Sequence, residues 1–170
     1  MSLAIIPGSF DPITLGHVNI IERAACKFDR VVVAVMNNDS AKHDKTLSSK
    51  TYTFEMQERV ELVKLSVGHI ANVEVISSSG MLIDLFDAIG ADVIVKGIRT
   101  PADLEYEMIH ATWNKAHNAR AETLFLPAAE SLSTVSSTLV RKYLKNGEFD
   151  KLSGVISHNA IEFLKNNRRE

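Results

Sequence analysis

"PGSFDPITLGH", residues 7–17, follows directly on the apolar run Leu3-Ala4-Ile5-Ile6. A short aliphatic run with no polar alternation reads as a strand buried on both faces. The prolines and Gly8 then turn the chain. Thr14-Leu15-Gly16-His17 opens a helix whose pattern continues over Val18–Lys27, threonine being a favoured residue at a helix start. The first N–H groups of a helix are unpaired and sit at the positive end of its dipole, so they favour an anion. Gly8 and Gly16 remove Cβ atoms where a backbone must turn or approach a ligand closely. His17 falls in the first turn, facing the same mouth. An imidazole there can donate a hydrogen bond to a phosphoryl oxygen as charge develops on it. Ser9 can bond another oxygen of the same group. Taken singly, Thr14 is also an ordinary cap and His17 an ordinary surface residue. Strand, turn and helix in register favour the phosphate.

The same alternation runs through the chain. Leu3–Ile6, Val31–Met36, Val73–Ile76, Val93–Val95 and Thr123–Leu126 read as strands. Between them lie the helical patterns Val18–Lys27, Phe54–Val67, Met81–Ile89 and Ala102–His117, with Ser137–Lys145 and His158–Asn166 after the last strand. This order predicts an α/β fold: a Rossmann-like, doubly wound sheet of five parallel strands, helices on both faces, and right-handed crossovers. Ligands then bind beyond the carboxyl ends of the strands. Five polar stretches should converge there: Pro7–His17, Asn37–Lys50, Ser77–Gly80, Lys96–Arg99 and Pro127–Ser137. The stretch DSAKHDKTLSSK, residues 39–50, has no apolar period and reads as a loop.

Composition narrows the function class. At 170 residues the chain suits one domain, residues 1–170, with one sizeable core. Its net charge of −2 gives no reason to expect nucleic acid or an acidic membrane surface as partner, so any phosphate binding must be local. Cys26 is its one cysteine, which excludes an intrachain disulfide and fits a reducing, cytoplasmic setting. No apolar run approaches the length of a membrane span. Neither G-x-x-x-x-G-K-[ST] nor G-x-G-x-x-G occurs, which disfavours a P-loop kinase and an ordinary dinucleotide dehydrogenase. Zinc-ligand spacing and the G-x-S-x-G elbow are absent too.

T-x-G-H after the first strand, together with Ser136-Ser137-Thr138-Leu139-Val140-Arg141, resembles the two signatures of the nucleotidyltransferase superfamily of α/β phosphodiesterases. "PGSFDPITLGH", "VKGIRTPADLEYEM" and "STVSSTLVRKYL" are similar to the bacterial phosphopantetheine adenylyltransferases, and the resemblance covers nearly the whole chain. It implies transfer of AMP from ATP to 4′-phosphopantetheine, giving dephospho-coenzyme A and pyrophosphate, the penultimate step of coenzyme A biosynthesis. It also implies Mg2+ carried in with ATP, no dedicated protein metal site, a homohexamer, and coenzyme A as a feedback inhibitor. Relatives with another acceptor, glycerol phosphate or nicotinamide mononucleotide, stay open, as does a nucleotide-binding sensor without activity.

The resemblance assigns roles residue by residue. His17, Lys42 and Arg99 would serve the transfer itself. ATP would be held by Ser9, Phe10, His17, Gly97, Ile98, Arg99, Glu107 and the run Leu132, Ser133, Thr134, Val135, Ser136, Ser137, Thr138, with Arg141 adding charge. The acceptor would meet Ser9, Lys42, Leu82 and Lys96. Cations and N–H donors are what adenylyl transfer needs, because two polyanions must be aligned for in-line attack and the protein supplies no nucleophile. The chain departs from the family in four places. The loop before Phe54-Glu55-Met56-Gln57-Glu58-Arg59 is longer, so Lys45 competes with Lys42. Lys96 stands where arginine is common, Leu132 where an aromatic is common, and Thr138 where serine is usual. Histidines 43, 69, 110, 117 and 158 read as structural or solvated.

Overall fold

The computed structural model describes residues 1–37 and 51–167. Strands β1 (Leu3–Gly8), β2 (Arg30–Met36), β3 (Val73–Ser78), β4 (Val93–Ile98) and β5 (Thr123–Pro127) form one sheet in the order β3-β2-β1-β4-β5, every described pairing parallel. The helices are α1 (Leu15–Ala25), α2 (Met56–Val67), α3 (Leu82–Ala88), α4 (Pro101–His117), α5 (Ser137–Lys145) and α6 (His158–Asn166). Two short 3-10 turns, Glu130–Leu132 and Phe149–Leu152, were not visible as a sequence pattern.

Both faces of the sheet are covered, as apolar strands without alternation require. Successive residues of one strand enter opposite cores, because side chains alternate across a sheet. Ala4, Ile6, Val31, Val33 and Val35 pack with Ile21 of α1, Leu62 and Val63 of α2, and Ile161 and Leu164 of α6. Leu3, Ile5, Val32, Ala34 and Met36 pack with Ile83 and Phe86 of α3. Among the described residues, no helix is long and apolar enough to cross a membrane.

Four elements differ from the sequence expectation in ways that matter to the site. α1 begins at Leu15, one turn before the periodic residues, because Thr14 caps it. α2 begins at Met56, which leaves Phe54 in the segment entering it. β4 runs past its apolar residues to Ile98, since pairing with β5 continues through Lys96↔Phe125, Gly97↔Leu126 and Ile98↔Pro127. Lys96 and Gly97 therefore sit on the strand, and Arg99 alone follows it. α4 begins at Pro101, one residue before the expected Ala102; on it Tyr106 and Met108 are exposed, and Asn114 is that helix's one buried residue.

Gly97 shows how tightly β4 lies on α1. A Cβ built there would stand 2.9 Å from Ile20 Cγ1, a branched atom close to its own backbone. Gly97→Ala is expected to destabilise the fold by about 1–3 kcal/mol through overpacking, read as a lower urea midpoint with an unchanged slope.

Candidate active site

The chain leaves β1 toward β2 on one side of the sheet and later places β4 on the other side of β1. The crevice at such a reversal is where α/β sheets bind ligands. A cleft of about 1070 Å3 opens there, at the carboxyl ends of β1 and β4. It gathers Ser9, Phe10, His17, Leu82, Lys96, Gly97, Arg99, Glu107, Val135, Ser136, Ser137, Thr138 and Arg141 from the sequence-derived set. Ile98, Leu132, Ser133 and Thr134 are not among its walls. Leu132 packs against the core, and the Ser133 hydroxyl closes the 3-10 turn on the Glu130 carbonyl at 2.8 Å. Lys42 and its rival Lys45 lie outside the described residues.

The turn after β1 is unusual in its backbone. Phe10 has φ 45°, the left-handed region that a residue with a Cβ seldom adopts. The ring is 3% exposed and lies where a Gly8 Cβ would be, 2.9 Å from Phe10 Cε2 and Cζ. Its edge meets the His17 ring, with centroids 5.2 Å apart at 74°. The following peptide, Asp11–Pro12, is cis. Asp11 is 2% exposed and its carboxylate accepts the N–H groups of Thr53 and Phe54.

His17 is held in one tautomer by its neighbour. The Thr14 amide donates to His17 Nδ1 at 3.0 Å. A backbone N–H can only donate, so Nδ1 is the acceptor and, in the neutral ring, Nε2 carries the proton. Burial lowers the His17 pKa from 6.5 to about 4, and the Arg99 guanidinium adds to the effect. The site therefore presents a neutral N–H donor.

Two cations of the cleft, Arg99 and Lys96, are each matched to a carboxylate of α4. Arg99 Nε and Nη2 reach the two Asp103 oxygens at 3.1 and 3.4 Å, and Arg99 Nη1 meets the Val135 carbonyl at 3.4 Å. Burial works against the Asp103 charge, but hydrogen bonds and charge from Arg99 outweigh it and hold that carboxyl below its usual range. Lys96 Nζ stands 3.0 Å from Glu107 Oε2, both half-buried; the contact has ion-pair distance, yet that oxygen makes no hydrogen bond.

The hydroxyls at the opening of α5, expected with the amides to face phosphates, have partners within the protein. Ser136 Oγ accepts from the Leu139 amide, Ser137 Oγ donates to the Pro12 carbonyl at 2.8 Å, and Thr138 Oγ1 accepts from Arg141 Nη2. Arg141 Nη1 also donates to the Asp11 carbonyl at 2.6 Å. The hydroxyls bind the helix start to the turn after β1. The Ser137 and Thr138 amides, outside the helical ladder, remain the natural anion donors.

His110, read from sequence as structural or solvated, lines the cleft with Asn114. Burial lowers its pKa, with Glu107 partly offsetting this and Lys96 reinforcing it. Its signal was present in the sequence: Asp103, Glu107, His110 and Asn114 share one face of α4 at helical spacing.

With its pKa near 4, His17 stays neutral above that pH. Unfolded chain takes up the proton near 6.5, so the stability linked to this group is full above pH 6.5 and is lost as pH falls toward 4. A 15N NMR titration from about pH 8 to about pH 5 should show Nδ1 unprotonated and Nε2 protonated throughout. A midpoint near 6.5 would refute the buried, neutral assignment.

The cytidylyltransferase-like family model matches residues 5–143. A phosphopantetheine adenylyltransferase of Haemophilus influenzae (strain PittEE) is 44% identical over 163 residues, covering 95% of this chain and 99% of that protein. One from Staphylococcus haemolyticus is 42% identical over 139 residues, covering 82% and 81%. Among solved structures, a proposed nicotinate-nucleotide adenylyltransferase of Vibrio parahaemolyticus superposes with TM-score 0.68 at 20% identity, covering 96% of this chain and 99% of that one, which is a likeness of fold. With two signatures on one cleft and this likeness along most of its length, the chain belongs to the phosphopantetheine adenylyltransferases, within the cytidylyltransferase-like family.

Proposed function

We propose that the cleft transfers AMP from ATP to 4′-phosphopantetheine, releasing pyrophosphate and forming dephospho-coenzyme A. A phosphate oxygen of the acceptor attacks the α-phosphorus of ATP. The new P–O bond forms as the bond from the α-phosphorus to the oxygen bridging to the β-phosphate breaks, and pyrophosphate departs with that electron pair. The acceptor brings its own nucleophile, so alignment and charge stabilisation are the protein's task. The observation that carries this reading is the neutral Nε2–H of His17, fixed by the Thr14 amide at the mouth of α1. It is a donor for the α-phosphate oxygen on which charge builds. Arg99 and the α5 amides are suited to the β- and γ-phosphates, and Lys96, with Leu82 across the cleft, to the acceptor.

Mg2+ enters in this reading on the phosphates of ATP, where it supplies offsetting charge. The two carboxylates of α4 in the cleft are each paired with a cation, and among the described residues no group of three His, Cys, Asp or Glu gathers to hold a metal. The exposed thiol of Cys26 fits a cytoplasmic setting. Coenzyme A, which contains the product, is proposed to compete for the cleft and inhibit turnover.

Pyrophosphate release measured with ATP and Mg2+, with and without 4′-phosphopantetheine, tests the reaction. Release that depends on phosphopantetheine is expected. Release that instead depends on nicotinamide mononucleotide or glycerol phosphate would replace the acceptor, and ATP binding without any release would make the chain a sensor. His17→Ala should lower kcat by about two to three orders of magnitude while ATP binding is largely kept.

A homohexamer is proposed on the apolar residues that α4 and edge strand β5 leave exposed. Met108 on α4 and Leu124 on β5 are exposed, as is Ile109 (66%) at the rim of the cleft, and apolar exposure of this kind marks an interaction surface. Light scattering should give six times the chain mass of 18.8 kDa. A monomer over the working concentration range would overturn the assembly.

A further inference from the structure

Arg59 is the largest buried side chain among the described residues, 2% exposed. A guanidinium out of water is costly unless its donors are met. Here they meet neutral oxygens. Nε donates to the Phe54 carbonyl at 3.1 Å, Nη1 to the Ser9 carbonyl at 2.8 Å and Nη2 to Asn37 Oδ1 at 2.6 Å. The ring of Tyr52 lies beneath it, 4.3 Å from Cζ to centroid. Among the described residues, no carboxylate forms an ion pair with it. Three separate stretches, the turn after β1, the end of β2 and the entry to α2, are thus held by one planar fork.

The Ser9 carbonyl belongs to the peptide that precedes Phe10, the described non-glycine residue with positive φ. Such a backbone is unfavourable and persists only where its surroundings fix it. Phe10 in turn lies edge-on against His17. The line of contact runs from Arg59 to the Ser9 carbonyl, to Phe10, to His17. Asn37 and Ser9 both line the cleft, whereas Arg59 does not.

We infer that Arg59 is a positioning residue for the transfer reaction: it locks the Ser9–Phe10 peptide in its unfavourable orientation and so sets the place of the His17 donor. This rests on the adenylyl-transfer reading. The cost of losing it should fall on kcat, because Arg99, Lys96 and the α5 amides do not touch Arg59. Lysine keeps the charge but cannot serve three divergent acceptors with a planar fork.

The experiment compares Arg59→Lys with the wild-type protein by thermal melting, by ATP binding and by phosphopantetheine-dependent pyrophosphate release well below the melting temperature. A folded variant is expected, with KM for ATP close to wild type and kcat lower by about tenfold to a hundredfold, the cost of a small misplacement in the site. The His17 ring proton shifts should also move as the Phe10 edge departs. Asn37→Ala, which removes one acceptor of the fork, should lower kcat in the same direction by less, and it decides the matter if Arg59→Lys does not fold. Wild-type kcat in a folded Arg59→Lys, or in Asn37→Ala where Arg59→Lys does not fold, overturns the inference alone, whatever happens to the melting temperature. A wild-type protein with no phosphopantetheine-dependent release overturns the reaction and this inference together.

Discussion

Parallel pairing of β1 with β2 on one side and β4 on the other is the constraint on which the rest depends. Parallel strands run the same way, so every crossover must return on a helix and every strand ends at the same edge. That edge collects the turn after β1, the end of β4 and the start of α5, segments far apart in sequence. No one of them makes the cleft alone. Their shared edge does, because β1 sits centrally and the chain reverses its direction of build beside it.

What is brought together is chemically simple. The turn after β1 is packed from behind by buried polar groups, Asp11 and Arg59, and it presents donors in front. His17 is neutral because it is buried and Arg99 stands near it, and the Thr14 N–H on Nδ1 leaves the proton on Nε2. A preorganised neutral donor suits a reaction in which charge moves among phosphate oxygens and no proton has to pass through the protein.

Much of this was legible in the sequence. Five apolar runs without alternation specify a sheet buried on both faces, and the helical stretches between them specify its parallel sense. Thr14, Gly16 and His17 could be placed at a helix mouth from spacing alone. Less legible was anything set by tertiary partners. β4 reaches Ile98 because β5 pairs with it, though the apolar run stops at Val95. The hydroxyls of Ser137 and Thr138 look like phosphate ligands in a string of letters, and in space they hold Pro12 and Arg141. His110 by itself carries little information until the helix face shared with Glu107 is drawn. The burial of Arg59 is not written in its own helix: two of its three acceptors, the Ser9 carbonyl and Asn37, come from distant segments.

The pairing of Arg99 with Asp103 and of Lys96 with Glu107 makes the cleft an ion exchanger. An anion arriving at Arg99 or Lys96 does not meet bare positive charge; it must take the place of a carboxylate already there. A small single anion swaps one partner for another and gains little. A nucleotide polyphosphate with a second phosphorylated molecule engages several donors at once, and the gains compound because each contact makes the next intramolecular. Two ion pairs side by side thus favour a ligand that replaces both carboxylates together over a lone inorganic anion.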